Sequence, residues 1–196
     1  IARYGSDKTV IMIWRGLECM GVYHFNKLGI DETIAKIRTY ATELRIPYSN
    51  IVADQDGLGG GVVDVLRGIN GFSGGSAPLE QNHLKPNFQN LKTQCYYLLS
   101  EFINAHKIAV RTEDETVKNM IIQELEVLKR KDADSDGKLK IISKDEVKEL
   151  LGRSPDFADA LMMRMWFELK PIFMEDLSLI REIEYNRETN QSNRFE

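Results

Sequence analysis

The sequence is poor in the features that usually betray a class. It has two cysteines, Cys19 and Cys95, far apart and each in an apolar run. That excludes a disulfide scaffold and predicts two buried thiols in a reducing compartment. The three histidines, His24, His83 and His106, are scattered without metal-ligand spacing. His24 reads as a strand residue and the other two as surface residues. Neither sign of charge dominates: 26 basic side chains face 30 acidic ones, for a net charge of −4. Such a chain does not hold nucleic acid by net charge, although a local basic groove stays open. There is no signal peptide and no apolar run long enough to span a membrane. Two glycine-rich stretches, Gly57 to Gly61 and Gly71 to Gly75, lack the Gly-Lys-Ser/Thr of a P-loop, and no such motif stands elsewhere. ATP hydrolysis within these residues is therefore not expected. No nucleophile–base arrangement for Ser or Cys catalysis stands out, and no internal repeat is visible.

What is present is one domain's worth of patterned chain. The 196 residues are 42% hydrophobic, enough for a real core. The chain opens Ile1-Ala2-Arg3-Tyr4-Gly5-Ser6-Asp7-Lys8-Thr9, which reads as a loop entered from something upstream. Thr9 to Trp14 and Leu17 to Phe25 read as two strands joined by a tight turn. Asp31 is expected to cap a helix carrying Ile34, Ile37, Ala41 and Leu44, ended by Pro47. Ile51 to Asp54 is a short buried strand ending on a carboxylate, followed by a glycine-rich turn and the amphipathic stretch Val62 to Leu66. Strand, turn, helix is an α/β crossover signature, and functional groups gather at the carboxyl ends of such strands. A short strand over Ile69 to Phe72 leads into a long polar loop. Helices are expected over Asn90 to Ala105 and Asp114 to Arg130, with short strands at Ile108 to Val110 and Leu139 to Ile142. Ser143 caps a helix over Lys144 to Leu151, with Glu146 completing a capping box and Gly152 ending it. Ser154 is expected to cap the next helix, with Pro155 at its first position. The alternation gives an α/β domain over residues 1–170 with a mixed central sheet flanked by helices. Residues 171–196 are expected as a helical and polar tail.

Two acidic groupings carry candidate chemistry. Asp54 at a strand end and Asp159 in a helix, with Asp56 and Asp156 nearby, are the residue types that hold divalent cations. Two such ions, roughly 4 Å apart, activate water and stabilise a leaving oxygen in phosphodiester cleavage. The competing account makes them turn residues beside glycine and acids offsetting a helix dipole. That account suits Asp156 better than Asp159, which lies where its helix begins to bury itself. The second grouping, Asp132, Asp134, Asp136 and Gly137, matches the first half of a calcium loop but has Ser143 where a bidentate Glu belongs. An Asp-Gly turn joining a helix to a strand is the favoured account, since a strand-like run and a helix cap follow.

In order along the chain, the motifs resemble those of phage terminase large subunits. The opening stretch Ile1 to Thr9 resembles the loop after the family's first acidic residue, residues 54–64 (DQDGLGGGVVD) its second acidic motif, and Phe88-Gln89-Asn90-Leu91-Lys92 its Asn-Leu-Lys stretch. Ile142-Ser143-Lys144 with Gly152-Arg153-Ser154-Pro155-Asp156-Phe157-Ala158-Asp159-Ala160-Leu161 resembles its closing acidic motif. The resemblance implies an RNase H-like nuclease domain that cuts concatemeric viral double-stranded DNA with two Mg²⁺ or Mn²⁺ ions. It implies an ATPase domain upstream on the same polypeptide, a portal and small terminase subunit as partners, and work in the host cytoplasm. Asp54 and Asp159 would be metal ligands, Asp56, Asp156 and Asp7 supporting acids, and Lys92, Lys144 and Arg153 candidates for DNA phosphate contacts. The family's first catalytic Asp ends a central strand immediately before the residue matching Ile1. A complete polypeptide is expected to carry it, leaving a place between Thr9–Trp14 and Ile51–Asp54. The rivals are a junction resolvase-like nuclease of the same fold, a catalytically incomplete module that grips DNA or the packaging machinery, and a calcium-regulated domain.

Overall fold

The computed structural model describes residues 8–56, 59–81, 86–131 and 137–170. Asp7, His83, residues 132–136 of the calcium-loop grouping and the tail from 171 onward lie outside them. Within them, no helix is long and apolar enough to cross a membrane.

β1 (Lys8–Arg15) and β2 (Glu18–Asn26) form an antiparallel hairpin. Gly16 takes the left-handed conformation the tight turn needs (φ +58°). β5 (Ala109–Val110) joins β2 in parallel, giving a three-stranded sheet ordered β1-β2-β5. β3 (Val52–Asp54) and β4 (Asn70–Phe72) form a separate parallel pair, linked through α2 (Gly60–Val65). The crossover read from the sequence is thus present. β6 (Arg130–Lys131) and β7 (Lys140–Ile141) form a small antiparallel pair.

Helices cover the strands on two sides. α1 (Ile30–Glu43) and α2 pack Ile34, Val62 and Leu66 against Ala53 and Ile69. α3 (Leu91–Asn104), α4 (Glu115–Val127), α6 (Asp156–Met163) and α7 (Met165–Leu169) build the larger core around Cys95, Leu99, Ile121, Phe157, Met162 and Met165. α5 (Lys144–Leu151) packs on α4. Val52 reaches the larger core and Ala53 the smaller one. Successive strand residues point to opposite faces, so Asp54 shares the face of Val52 and looks toward α6.

β1 does not pair with β3. Between them lies a cleft of about 580 Å³, lined by Thr9 to Trp14 on one side and Ile51 to Asp54 on the other. α1 contributes Thr33, Ile37 and Tyr40 to it, and the α6–α7 corner contributes Ala160, Met163, Arg164 and Phe167. The central sheet read from the sequence thus stands in two parts, β1-β2-β5 and β3-β4, on either side of the cleft, where a place for a further strand was expected. Arg164 holds one wall, donating from Nε and Nη2 to the Gly16 carbonyl (3.1 and 2.9 Å) and pairing with Glu168.

Two expected caps are corrected. α1 starts at Ile30 with Gly29 as its cap, because Glu32 reaches back to the Gly29 amide at 2.9 Å; Asp31 lies inside the first turn. α6 starts at Asp156 behind Pro155, and the Ser154 hydroxyl is buried without a hydrogen-bond partner. Both thiols are free and buried as expected, and burial pushes Cys19 up to about 11 and Cys95 up to about 12.

Candidate active site

Asp54 ends β3, where the strand turns into the α2 crossover. One carboxylate oxygen accepts the Asp56 amide (3.0 Å). The backbone there is tightly packed: a Cβ on Gly59 would stand 1.6 Å from the Asp54 carbonyl oxygen, so only glycine fits. Burial raises the Asp54 carboxyl above its ordinary value; the Asp56 amide opposes this, while the charges of Asp56 and Asp159 add to it. Asp54 and Asp159 are thus close enough to feel each other. The sequence pattern could not show this, because 105 positions separate them in the chain.

Asp159 sits one turn into α6 and is held from α3. Tyr96 Oη donates to its Oδ1 at 2.6 Å, and Lys92 Nζ lies 2.7 Å from the same oxygen. Lys92 and Tyr96 are four apart and share one helix face. Tyr96 is buried, and burial together with the Asp159 charge holds its phenol well above its usual range. It therefore acts as a donor here. Tyr96 was not singled out in the sequence; its signal was a tyrosine one turn after Lys92 on the face that enters the core.

The start of α6 is held from a distance. Glu124 on α4 has no exposed surface, and its Oε2 accepts the Ala158 amide at 2.8 Å. Its other oxygen takes Arg153. An amide in the first turn of a helix has no partner inside the helix, so Glu124 does the work a side-chain cap would do. Its sequence signal was an acid on the otherwise apolar face of Val117 and Ile121.

Of the remaining expected site residues, Asp56, Asp156 and Arg153 are held by partners of their own. Asp156 accepts the Lys8 backbone amide at 2.6 Å and so ties the start of β1 to α6. Asp56 accepts Ser73 Oγ and the Gly74 amide, both at 2.9 Å. The loop it fixes returns two carbonyls to the start of α3, Ser76 to the Leu91 amide and Gly74 to the Lys92 amide. Asp56 thereby helps to seat Lys92. Arg153, expected at a DNA phosphate, is engaged inside the protein with Glu124. Lys144 stands exposed on the first turn of α5. Among the described residues, no group of three or more His, Cys, Asp or Glu side chains is placed to hold a metal ion. Asp54 and Asp159 offer hard oxygens suited to Mg²⁺ or Mn²⁺, and they are two donors rather than a full set.

No family model matches the sequence, and no curated protein matches it. Solved structures do. The nuclease domain of the large terminase subunit of bacterial virus Sf6 superposes with a TM-score of 0.69 at 23% identity, over 84% of each chain. A lysine-to-alanine variant of that domain, with manganese and beta-thujaplicinol, gives 0.70 at 22% identity over 84% of each chain. The same kind of variant with calcium gives 0.69 at 22% identity, again over 84% of each. The chain has the fold of a terminase nuclease domain. This is an RNase H-like α/β architecture.

Proposed function

We propose that this chain is a divalent-metal-dependent DNA endonuclease domain of the terminase type, cutting concatemeric viral DNA during packaging. The observation that carries the reading is that Asp54 at the end of β3 and Asp159 on α6 lie near enough that, beyond burial, the charge of Asp159 raises the Asp54 carboxyl, in a terminase nuclease fold. Bound Mg²⁺ or Mn²⁺ would supply activation of water and stabilisation of the departing 3′ oxygen. The chain's own residues hold and orient: Asp54 and Asp159 offer the ligand oxygens, and Asp56 fixes the loop beside them. Lys92 and Lys144 are the phosphate contacts, which position DNA without reading its sequence. The double-stranded DNA partner, the upstream ATPase domain, the portal and small subunit, and the host cytoplasm belong to the same reading.

The cleft belongs to it as well. β1 and β3 each have a paired neighbour on one side only and face the cleft with the other. A further strand seated there would pair both edges and bring the first acid of the resemblance beside Asp54 and Asp159. An N-terminal extension carrying such a strand should then raise the melting temperature and strengthen Mn²⁺-dependent cutting. An extension that changes neither would remove the strand from the reading.

Alanine at Asp54 or Asp159 should abolish Mg²⁺- or Mn²⁺-dependent plasmid cleavage while the fold survives; wild-type cutting by either variant would refute the assignment. Asp54→Asn carries a second signature. A carboxyl raised in the fold supports stability fully below its unfolded value, and that support is lost as pH rises through the folded value. The asparagine variant should therefore melt higher than wild type at neutral pH in chelator. One observation favours a rival: with two placed carboxylates, the chain fits a module that binds DNA without cutting it. Retention of DNA with no cleavage in Mn²⁺, even after upstream extension, would select that rival.

A further inference from the structure

We propose that Tyr96 is a positioning residue whose hydroxyl fixes the Asp159 carboxylate so that Oδ2 alone is left for a cation. This rests on the metal-site reading above. Both donors on Asp159, Tyr96 Oη at 2.6 Å and Lys92 Nζ at 2.7 Å, converge on Oδ1. Among the described residues nothing bonds Oδ2. The two donors come from one face of α3 and differ in kind. The Lys92 ammonium is a partly exposed point charge on a flexible stem, lying 5.7 Å from the Tyr96 ring centroid. The Tyr96 ring is clamped in the main core beside Cys95, Leu99 and Phe157, so its hydroxyl has almost no freedom of place. A hydroxyl held by packing and bonded to a charged oxygen sets the direction of that carboxylate. Groups that bond the back of a metal ligand orient it, and removing one weakens metal binding on the order of 10-fold or more. The geometry also explains the phenol itself: phenylalanine would fill the same core space.

The test is isothermal titration of the protein with Mn²⁺ alone, comparing wild type, Tyr96→Phe, Asp159→Asn and Leu99→Val. Leu99 lies in the same helix and core, away from the carboxylate, and controls for loosened packing. Tyr96→Phe should bind Mn²⁺ about 10-fold more weakly, Leu99→Val like wild type, and Asp159→Asn not measurably. Wild-type affinity in Tyr96→Phe, with binding lost in Asp159→Asn, would overturn the positioning role and leave the site reading standing. Equal weakening in Tyr96→Phe and Leu99→Val would make Tyr96 a packing residue and also overturn it. Wild-type affinity in Asp159→Asn would overturn the site reading and the role together.

Discussion

α5 and α6 follow one another in the chain, each entered through a serine, and their first turns are secured by opposite means. At α5 the Ser143 hydroxyl accepts the Glu146 amide (3.2 Å) and the Glu146 carboxylate takes the Ser143 amide (2.7 Å). All of it lies within four residues at the surface. At α6 the preceding serine, Ser154, does nothing of the kind, and the first-turn amide of Ala158 goes to Glu124, 34 residues upstream and fully buried. A local cap holds one helix end. A distant buried cap holds a helix end and also fixes where that helix lies. α6 carries Asp159, and the proposed site depends on its placement against β3; α5 carries Lys144 on an exposed first turn.

The largest expected effect falls on the distant cap. Glu124→Ala strands the Ala158 amide and leaves Arg153 without its partner, and should cost about 3 kcal/mol in urea unfolding. A loss as small as that of a surface cap would mean that α6 is held by apolar packing alone. Ser143→Ala should cost about 1 kcal/mol by the same measurement. The acid limb sharpens the contrast. Ser143 and Lys131 draw the exposed Glu146 carboxyl from 4.5 down to about 2. A depressed carboxyl supports stability above its unfolded value and loses that support as pH falls toward the folded one. Stability should therefore fall between about pH 4.5 and 2 more steeply in wild type than in Glu146→Gln, and equal slopes would show that the α5 cap is not formed in solution. Ser154→Ala should be the mildest change, within about 0.5 kcal/mol of wild type or slightly stabilising, because its hydroxyl has no bond to lose. A cost matching that of Ser143→Ala would restore Ser154 as a cap.

The same division runs through the rest of the molecule. The β1–β2 hairpin, the β3-α2-β4 crossover, the span of α3 and the capped start of α5 could be read from the chain. Their signals are alternation, glycine at a left-handed turn, apolar residues at helical spacing and caps within four residues. Asp54 at a strand end was legible for the same reason. Tyr96 and Glu124 were not, since a tyrosine in a core helix and an acid in an amphipathic one have local explanations that suffice. Asp56 and Asp156 looked like members of a carboxylate cluster, and the structure gives them backbone partners in the loop after β4 and in β1. The separation of β1 from β3 was implied by resemblance rather than by pattern, because pairing depends on what stands between two strands.

By itself the sequence determined the main elements, their order and the α/β class, because these rest on interactions spanning a few residues along one chain. Only the tertiary structure decided which oxygen of Asp159 is engaged, which partner each of the four acids takes, that Arg153 pairs with the buried Glu124, and where the cleft opens. Those outcomes depend on side chains from α3, α4, α6 and β3 that are tens of residues apart and become neighbours through packing. A buried charge must then be satisfied by whatever the fold brings to it.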